Sequence, residues 1–268
     1  MTAHDSKTHS PTLPGALGTM ILWVTITLGG AIYQTGGNLE LAELVANRLV
    51  YSIVLAGALL LTLTFFWQWP NLGWRMPDLH QLFVLWLPIT YIFLFVTIAI
   101  LKGLPPHVAI AYLAINTMFV GLSEELMFRG ILYRAFIQRY SLWRTTAFVS
   151  LLFGAVHLAN GFMTGDWLQA ILQALATAMI GVAFLAYRVR TGSLTPCIII
   201  HGLYDFSLFL LAYRDPSESI TDPLEGSDAT AGIAILLPLL LALPLLLHGA
   251  FLLRKTEKQK GAVETAPS

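Results

Sequence analysis

An all-α, polytopic bundle of about eight transmembrane helices is the fold this sequence predicts, on three observations. The chain is 56% hydrophobic and only 11% charged over 268 residues, with a mean hydropathy of +0.71, whereas soluble domains carry about 25% charged residues. Apolar runs long enough to cross about 30 Å of hydrocarbon recur from end to end. The charges lie mostly between those runs, and the few inside them are clustered. A net charge of +0 offers no large basic surface, so the expected surroundings are a lipid bilayer and no nucleic acid is expected as a partner. Cys197 is the single cysteine, which excludes an internal disulfide and a Cys-rich metal site. It reads as a small apolar packing residue.

Taken in order, the spans are about 15–35, 49–69, 81–101, 108–133, 145–163, 168–187, 194–213 and 231–253. The first follows the polar stretch "MTAHDSKTHSPTLPG", which has low basicity and no clear cleavage site, so it reads as a retained helix and not as a signal peptide. Pro88 is expected to kink the third span, and Pro238 and Pro244 the last. The acidic connector at 215–228 reads as a solvated loop. No internal repeat is visible. The expected organisation is a polar tail at 1–14, a transmembrane helical domain at 15–253 and a basic tail at 254–268.

Eight spans place both chain ends on one side, and the charges say which. On that side fall Lys7, Arg75, Arg134, Arg139, Arg144, Arg188, Arg190, Arg254, Lys255, Lys258 and Lys260. The other side has Arg48, Lys102 and Arg214 among many carboxylates. By the positive-inside rule both termini are expected in the cytoplasm, with a bacterial cytoplasmic membrane as the location.

Within the spans the unusual residues are Glu124, Glu125 and Arg129 on the fourth, His157 on the fifth, and His201 and Asp205 on the seventh. One charge at the centre of a membrane helix costs roughly 3 kcal/mol on insertion scales, so such residues are read first as functional. Glu125 and Arg129 are four apart and face one side of a helix, where they can pair. Glu124 is turned away from Glu125 by about 100°, so one glutamate can hold the arginine while the other points elsewhere. Phe153 sits one turn from His157, and His201 one turn from Asp205. Rising 1.5 Å per residue, Glu124, His157 and His201 reach roughly 12–18 Å from the cytoplasmic ends of their helices. His80, His107 and His248 read as helix-end or interfacial imidazoles. Gly121, Ser123, Gly154, Ala155 and Gly202 are small residues of the kind that let membrane helices approach closely.

A buried carboxylate beside imidazoles can take a proton from water and direct the hydroxide at an amide carbonyl, given a donor for the developing oxyanion, a role open to His201. Alternatively His157, His201 and a carboxylate could bind a divalent metal such as zinc with an open position. The residues alone allow either route.

The elements "EELMFR" (Glu124 to Arg129), "FGAVH" (Phe153 to His157) and "HGLYD" (His201 to Asp205), in this order on separate helices, resemble the CPBP family of intramembrane proteases. That family includes the type II CAAX prenyl endopeptidases and bacterial proteins linked to bacteriocin processing and self-immunity. The resemblance covers about 115–210. It implies hydrolysis of a peptide bond in a membrane-associated protein or peptide, with or without a lipid group. Glu124 would be the base and His157 its assistant, His201 and Asp205 would stabilise the oxyanion or hold a metal, and Arg129 would fix the site through Glu125. Asp205 departs from the asparagine typical of the prenyl-protein enzymes. It donates only when protonated, which weakens the expectation of prenyl-CAAX specificity and strengthens that of a metal role. Two other functions remain open on the residues: a catalytically silent scaffold or immunity protein, and a transporter using the acids and histidines as a proton relay.

Overall fold

The computed structural model describes residues 10–36, 41–213 and 228–264. They form helices throughout, with no strand among the described residues. In order these are α1 (Leu13–Thr35), a short α2 (Leu41–Asn47), α3 (Tyr51–Phe66), α4 (Leu79–Lys102, opening with a 3₁₀ stretch), α5 (His107–Ile137), α6 (Leu142–Thr164), α7 (Trp167–Thr191), α8 (Thr195–Ala212) and α9 (Asp228–Glu264). Seven are long and apolar enough to cross a membrane. The second expected span is shorter than the sequence indicated. At 16 residues, α3 is about 24 Å long.

Local chemistry sets the boundaries. Thr12 caps α1, its hydroxyl accepting from Gly15 N–H at 3.3 Å, and Gly36 ends it in the left-handed region. Asp166 caps α7, accepting from Gln169 N–H at 2.9 Å. Pro88 stands in the first turn of the α-helical part of α4, which starts at Trp86, a position that proline tolerates. Pro238 and Pro244 both lie inside α9, which continues through 254–264, where the sequence reading placed a tail. The acidic connector at 215–227 and the outermost residues of both tails lie outside the described residues.

Contacts between turns fix the direction of each helix. At one end, Gln138 Nε2 donates to the Pro11 carbonyl at 3.3 Å, Trp143 Nε1 to Glu257 at 2.6 Å, and Arg75 Nε to the Gly192 carbonyl at 2.9 Å. At the other end, Tyr51 N–H donates to Gln34 at 3.2 Å and Lys102 to the Leu211 carbonyl at 3.3 Å. Despite its length α3 therefore runs between the two ends, and the beginning of α1 and the Glu257 turn of α9 share the end that carries Arg75, Arg134 and Arg188. Among the described residues, Arg75 and Lys102 thus fall at opposite ends, as the charge pattern predicts.

The central helix is α5, packed by α1, α2, α3 and α8, while α7 lies between α6 and α9. Asn116 of α5 is fully buried. Its side chain accepts from Val50 N–H at 3.0 Å and donates to the carbonyls of Val45 and Arg48 at 2.8 and 2.7 Å. Those three bonds tie the link between α2 and α3 to the bundle and leave no polar atom of the amide unpaired.

Candidate active site

The approach of α5 to α8 creates the site. A Cβ on Gly121 would stand 2.7 Å from the Ile198 carbonyl oxygen and 2.8 Å from Gly202 nitrogen, and one on Gly202 would stand 3.1 Å from Met118 Cα. Only glycines permit this crossing. One turn beyond Gly121 lies Glu125, and beside Gly202 lies His201, so the crossing brings the carboxylate to the imidazole. On the far side, Gly154 lets α6 close on α7, where a Cβ would sit 2.4 Å from the Ala174 carbonyl oxygen. Ala155, read as a packing residue, is exposed.

Glu125 and Arg129 are fully buried and pair at 2.9 Å from Nη1 to Oε1. The same Oε1 accepts from His201 Nδ1 at 2.7 Å. The other imidazole nitrogen, Nε2, faces two more carboxylates, Glu124 Oε2 at 3.6 Å and Asp205 Oδ2 at 3.4 Å. His201 is thus the centre of the cluster. Side-chain exposure rises from 0% at Glu125 to 9% at His201, 15% at Glu124 and 22% at Asp205, so solvent reaches the cluster from the Glu124 and Asp205 side. Glu124 Oε2 is buried without a hydrogen-bond partner.

Arg129 pairs with Glu125 through one nitrogen: Nη1 bonds the carboxylate, while Nε and Nη2 have no hydrogen-bond partner. The guanidinium instead lies over the rings of Phe153 and Phe184, 4.2 and 5.3 Å from their centroids. Stacking of this kind suits a planar, weakly hydrated cation. Phe153 also touches His201 edge-on at 6.0 Å, His157 at 5.0 Å and Phe128 at 4.9 Å between centroids. The phenylalanine of "FGAVH" is the surface against which the site's cation and both imidazoles are set.

His157 turns Nδ1 to the Phe153 carbonyl at 2.7 Å. A carbonyl can only accept, so Nδ1 carries a proton and Nε2 is the nitrogen left for other contacts. His157, His201, Asp205 and Glu125 are the titratable neighbours of Glu124. Among the described residues no three His, Cys, Asp or Glu side chains gather into a metal-binding set. His157 and His201 commit Nδ1 to the Phe153 carbonyl and to Glu125, an arrangement in which each imidazole keeps Nε2 for other contacts.

Several contributors had no signal in the sequence. Immediately after Glu125 the backbone widens into a π-helical stretch, Leu126–Leu132, all of it buried. Such stretches are frequent at functional sites. Trp23 of α1 donates from Nε1 to Ser123 Oγ at 2.6 Å and packs edge-on against Phe128 at 5.7 Å, which ties the first helix to the residue before Glu124. Phe184, at 5.1 Å from the His201 ring, looks in sequence like any other apolar helix position. His248 has partners that its spacing did not indicate: its ring shares a hydrogen bond of 3.2 Å with the Tyr187 hydroxyl and meets Trp86 at 5.6 Å. Cys197 is buried as expected.

Residues 106–207, under half of the chain, match the family described as Type II CAAX prenyl endopeptidase Rce1-like. The matched segment runs from the start of α5 to Ser207 of α8 and contains all three motif elements. No curated protein and no solved structure matches the chain.

Proposed function

Starting from residues 106–207 as a segment of the Rce1-like, CAAX-type protease family, we propose that this multi-pass membrane protein is an endopeptidase that cleaves a membrane-associated protein or peptide with water activated by Glu124. The observation that carries the reading is the arrangement about His201. Glu125, anchored by Arg129, takes one ring nitrogen, and the other is left facing the unpartnered oxygen of Glu124 and the carboxylate of Asp205.

In this reading a water beside Glu124 gives its proton to the carboxylate as its oxygen attacks the scissile carbonyl. The carbonyl π pair moves to oxygen, and His201 Nε2–H donates to that oxyanion. Nδ1–H stays on Glu125 meanwhile, so the donation is made by a ring that carries a proton on each nitrogen. Glu124 next delivers its proton to the departing amine as the C–N bond breaks, so it begins and ends the cycle ionised. The lone pair on His157 Nε2 orients the water. Asp205 orients His201 from the solvent side and serves as an acceptor, in contrast to the asparagine of the prenyl-protein enzymes. Cytoplasmic termini and a bacterial cytoplasmic membrane belong to the same proposal, supported by the gathering of arginines at the end shared by Pro11 and Glu257.

The test compares peptide termini by mass spectrometry in membranes carrying the native chain and membranes carrying Glu124→Gln at matched expression. Removing the base is expected to reduce cleavage by about 10²–10⁴-fold, so new termini should appear with the native chain alone. Termini that persist unchanged in the variant would remove Glu124 from the mechanism. If neither protein produces termini while substrate-free proteoliposomes show a proton flux that Glu124→Gln abolishes, the relay reading takes over.

A further inference from the structure

A second polar cluster lies one layer beyond Arg129, at the end of the bundle that carries Pro11 and Glu257. Arg188 of α7 is 94% buried (6% exposed) and its guanidinium is pressed between two surfaces. One is the Tyr133 ring, 5.6 Å away. The other is the backbone of Gly73 (φ +100°), where a Cβ would stand 2.5 Å from Arg188 Cζ. Of its five N–H groups Nη2 donates to the Asn71 carbonyl at 3.2 Å, and Nε is buried with no partner. The Nε of Arg134 is likewise buried and unpartnered. The charged groups within reach of Arg188 are Arg134 and Arg75, both cations, and among the described residues no carboxylate pairs with any of the three. Arg75 spends Nε and Nη2 on the carbonyls of Gly192 and Thr191.

Three guanidinium groups held together, one of them nearly withdrawn from water, repel one another and lack acceptors. An oxyanion supplies both missing terms, charge and oxygen atoms, and guanidinium is the side chain suited to phosphate. Beside the cluster, on either flank of Gly73, Leu72 and Trp74 join Leu61, Phe65 and Trp69 in a groove of about 360 Å³. Arg134 follows Glu124 by about 15 Å along α5, which is half the thickness of the hydrocarbon layer and therefore headgroup depth. The groove runs onto the last turns of α3 through Leu61 and Phe65. Arg188 packs on the backbone of Gly73, between the two groove residues Leu72 and Trp74, so the arginines and the groove lie side by side, an arrangement that fits a phosphate and its acyl chain.

We propose that this face binds one anionic phospholipid, its phosphate on Arg188, Arg134 and Arg75 and one acyl chain in the groove of Leu61, Phe65, Trp69, Leu72 and Trp74. The lipid would brace the 67–78 loop against the end of α7, four residues from the Phe184 ring that faces Arg129 and His201. The reaction assigned to Glu124 does not enter the argument.

Native mass spectrometry of the full-length protein, delipidated in detergent and re-exposed to phosphatidylglycerol or phosphatidylcholine of matched chains, tests it. One phosphatidylglycerol should be retained with a preference of about tenfold or more, because the choline cation of phosphatidylcholine brings a fourth positive charge to three guanidinium groups. Arg134→Gln should remove most of that preference. Trp74→Ala, a change at an exposed side chain, should weaken retention of both lipids and keep their ratio. Equal retention of the two lipids by the native chain would overturn the proposal whatever the variants do. So would displacement of the bound lipid by millimolar inorganic phosphate, which would mark a site for the free anion.

Discussion

Replacing Arg129 by lysine separates the two ways in which this buried cation could be held. If the Glu125 contact carried its worth, an ammonium could take it over at 2.9 Å and little would change. The guanidinium, however, also lies 4.2 Å from the Phe153 centroid and 5.3 Å from that of Phe184, and it is fully buried. A desolvated cation–π contact contributes about 2 kcal/mol, and the longer one contributes less. Lysine retains the charge and loses the flat stacking, so Arg129→Lys should destabilise the protein by about 2–3 kcal/mol. Arg129→Gln, which also strands the buried Glu125, should cost more, about 3–5 kcal/mol. Reversible unfolding in mixed micelles measures both. A double-mutant cycle with Phe153→Leu assigns the difference, with an expected coupling of about 1–2 kcal/mol between residues 129 and 153. A lysine variant as stable as the native chain, or a coupling within the additive error of about 0.5 kcal/mol, would refute the stacking account and return the arginine's role to its ion pair.

The remaining predictions concern the crossing and the cluster. Gly121→Ala places a methyl group 2.7 Å from a backbone oxygen of α8 and should cost about 1–3 kcal/mol together with most of the cleavage activity; unchanged unfolding and activity would show that the helices are free to part. Asp205→Asn should keep cleavage within about tenfold, because an amide oxygen still accepts from His201, and Asp205→Ala should fall well below it; equal rates for the two variants would remove Asp205 from the site. Elemental analysis before and after His157→Ala combined with His201→Ala tests the divalent ion. Stoichiometric metal present in the native protein and lost from the double variant would assign those imidazoles as its ligands, and metal retained by the double variant would exclude them.

What could be read in the sequence was what helical spacing controls. Glu125 and Arg129 at i and i+4, His201 and Asp205 at i and i+4, and the shared depth of three charged helices all follow from 3.6 residues per turn and 1.5 Å per residue. Both pairs are in contact, and only one of the two glutamates, Glu125, holds the arginine. Partner choice between helices has no such rule. Nothing in the spacing says that both glutamates end on opposite nitrogens of one imidazole, that Phe184 stacks on Arg129, or that Trp23 reaches Ser123 from a helix with no motif. The glycines marked close approach without saying which helix approaches. Backbone departures were also invisible: α3 is shorter than its apolar run, and the π-helical stretch has no reliable residue signature.

That widened stretch lets one helix serve two masters. Upstream of Leu126, α5 presents Glu124 and Glu125 to α8; downstream, Tyr133 is offered to Arg188 on α7. A uniform α-helix would lock these two presentations to one another, since each residue adds about 100°. A wide turn between them works as a phase shifter that sets their relative azimuth. Winding Leu126–Leu132 as plain α-helix with none of the seven removed would turn the arginine layer by about 100° against Glu124 and Glu125, with every side chain still present. The wide turn absorbs about one residue's worth of rotation, so this is the place in the chain where a change of length alters the winding before it alters any contact.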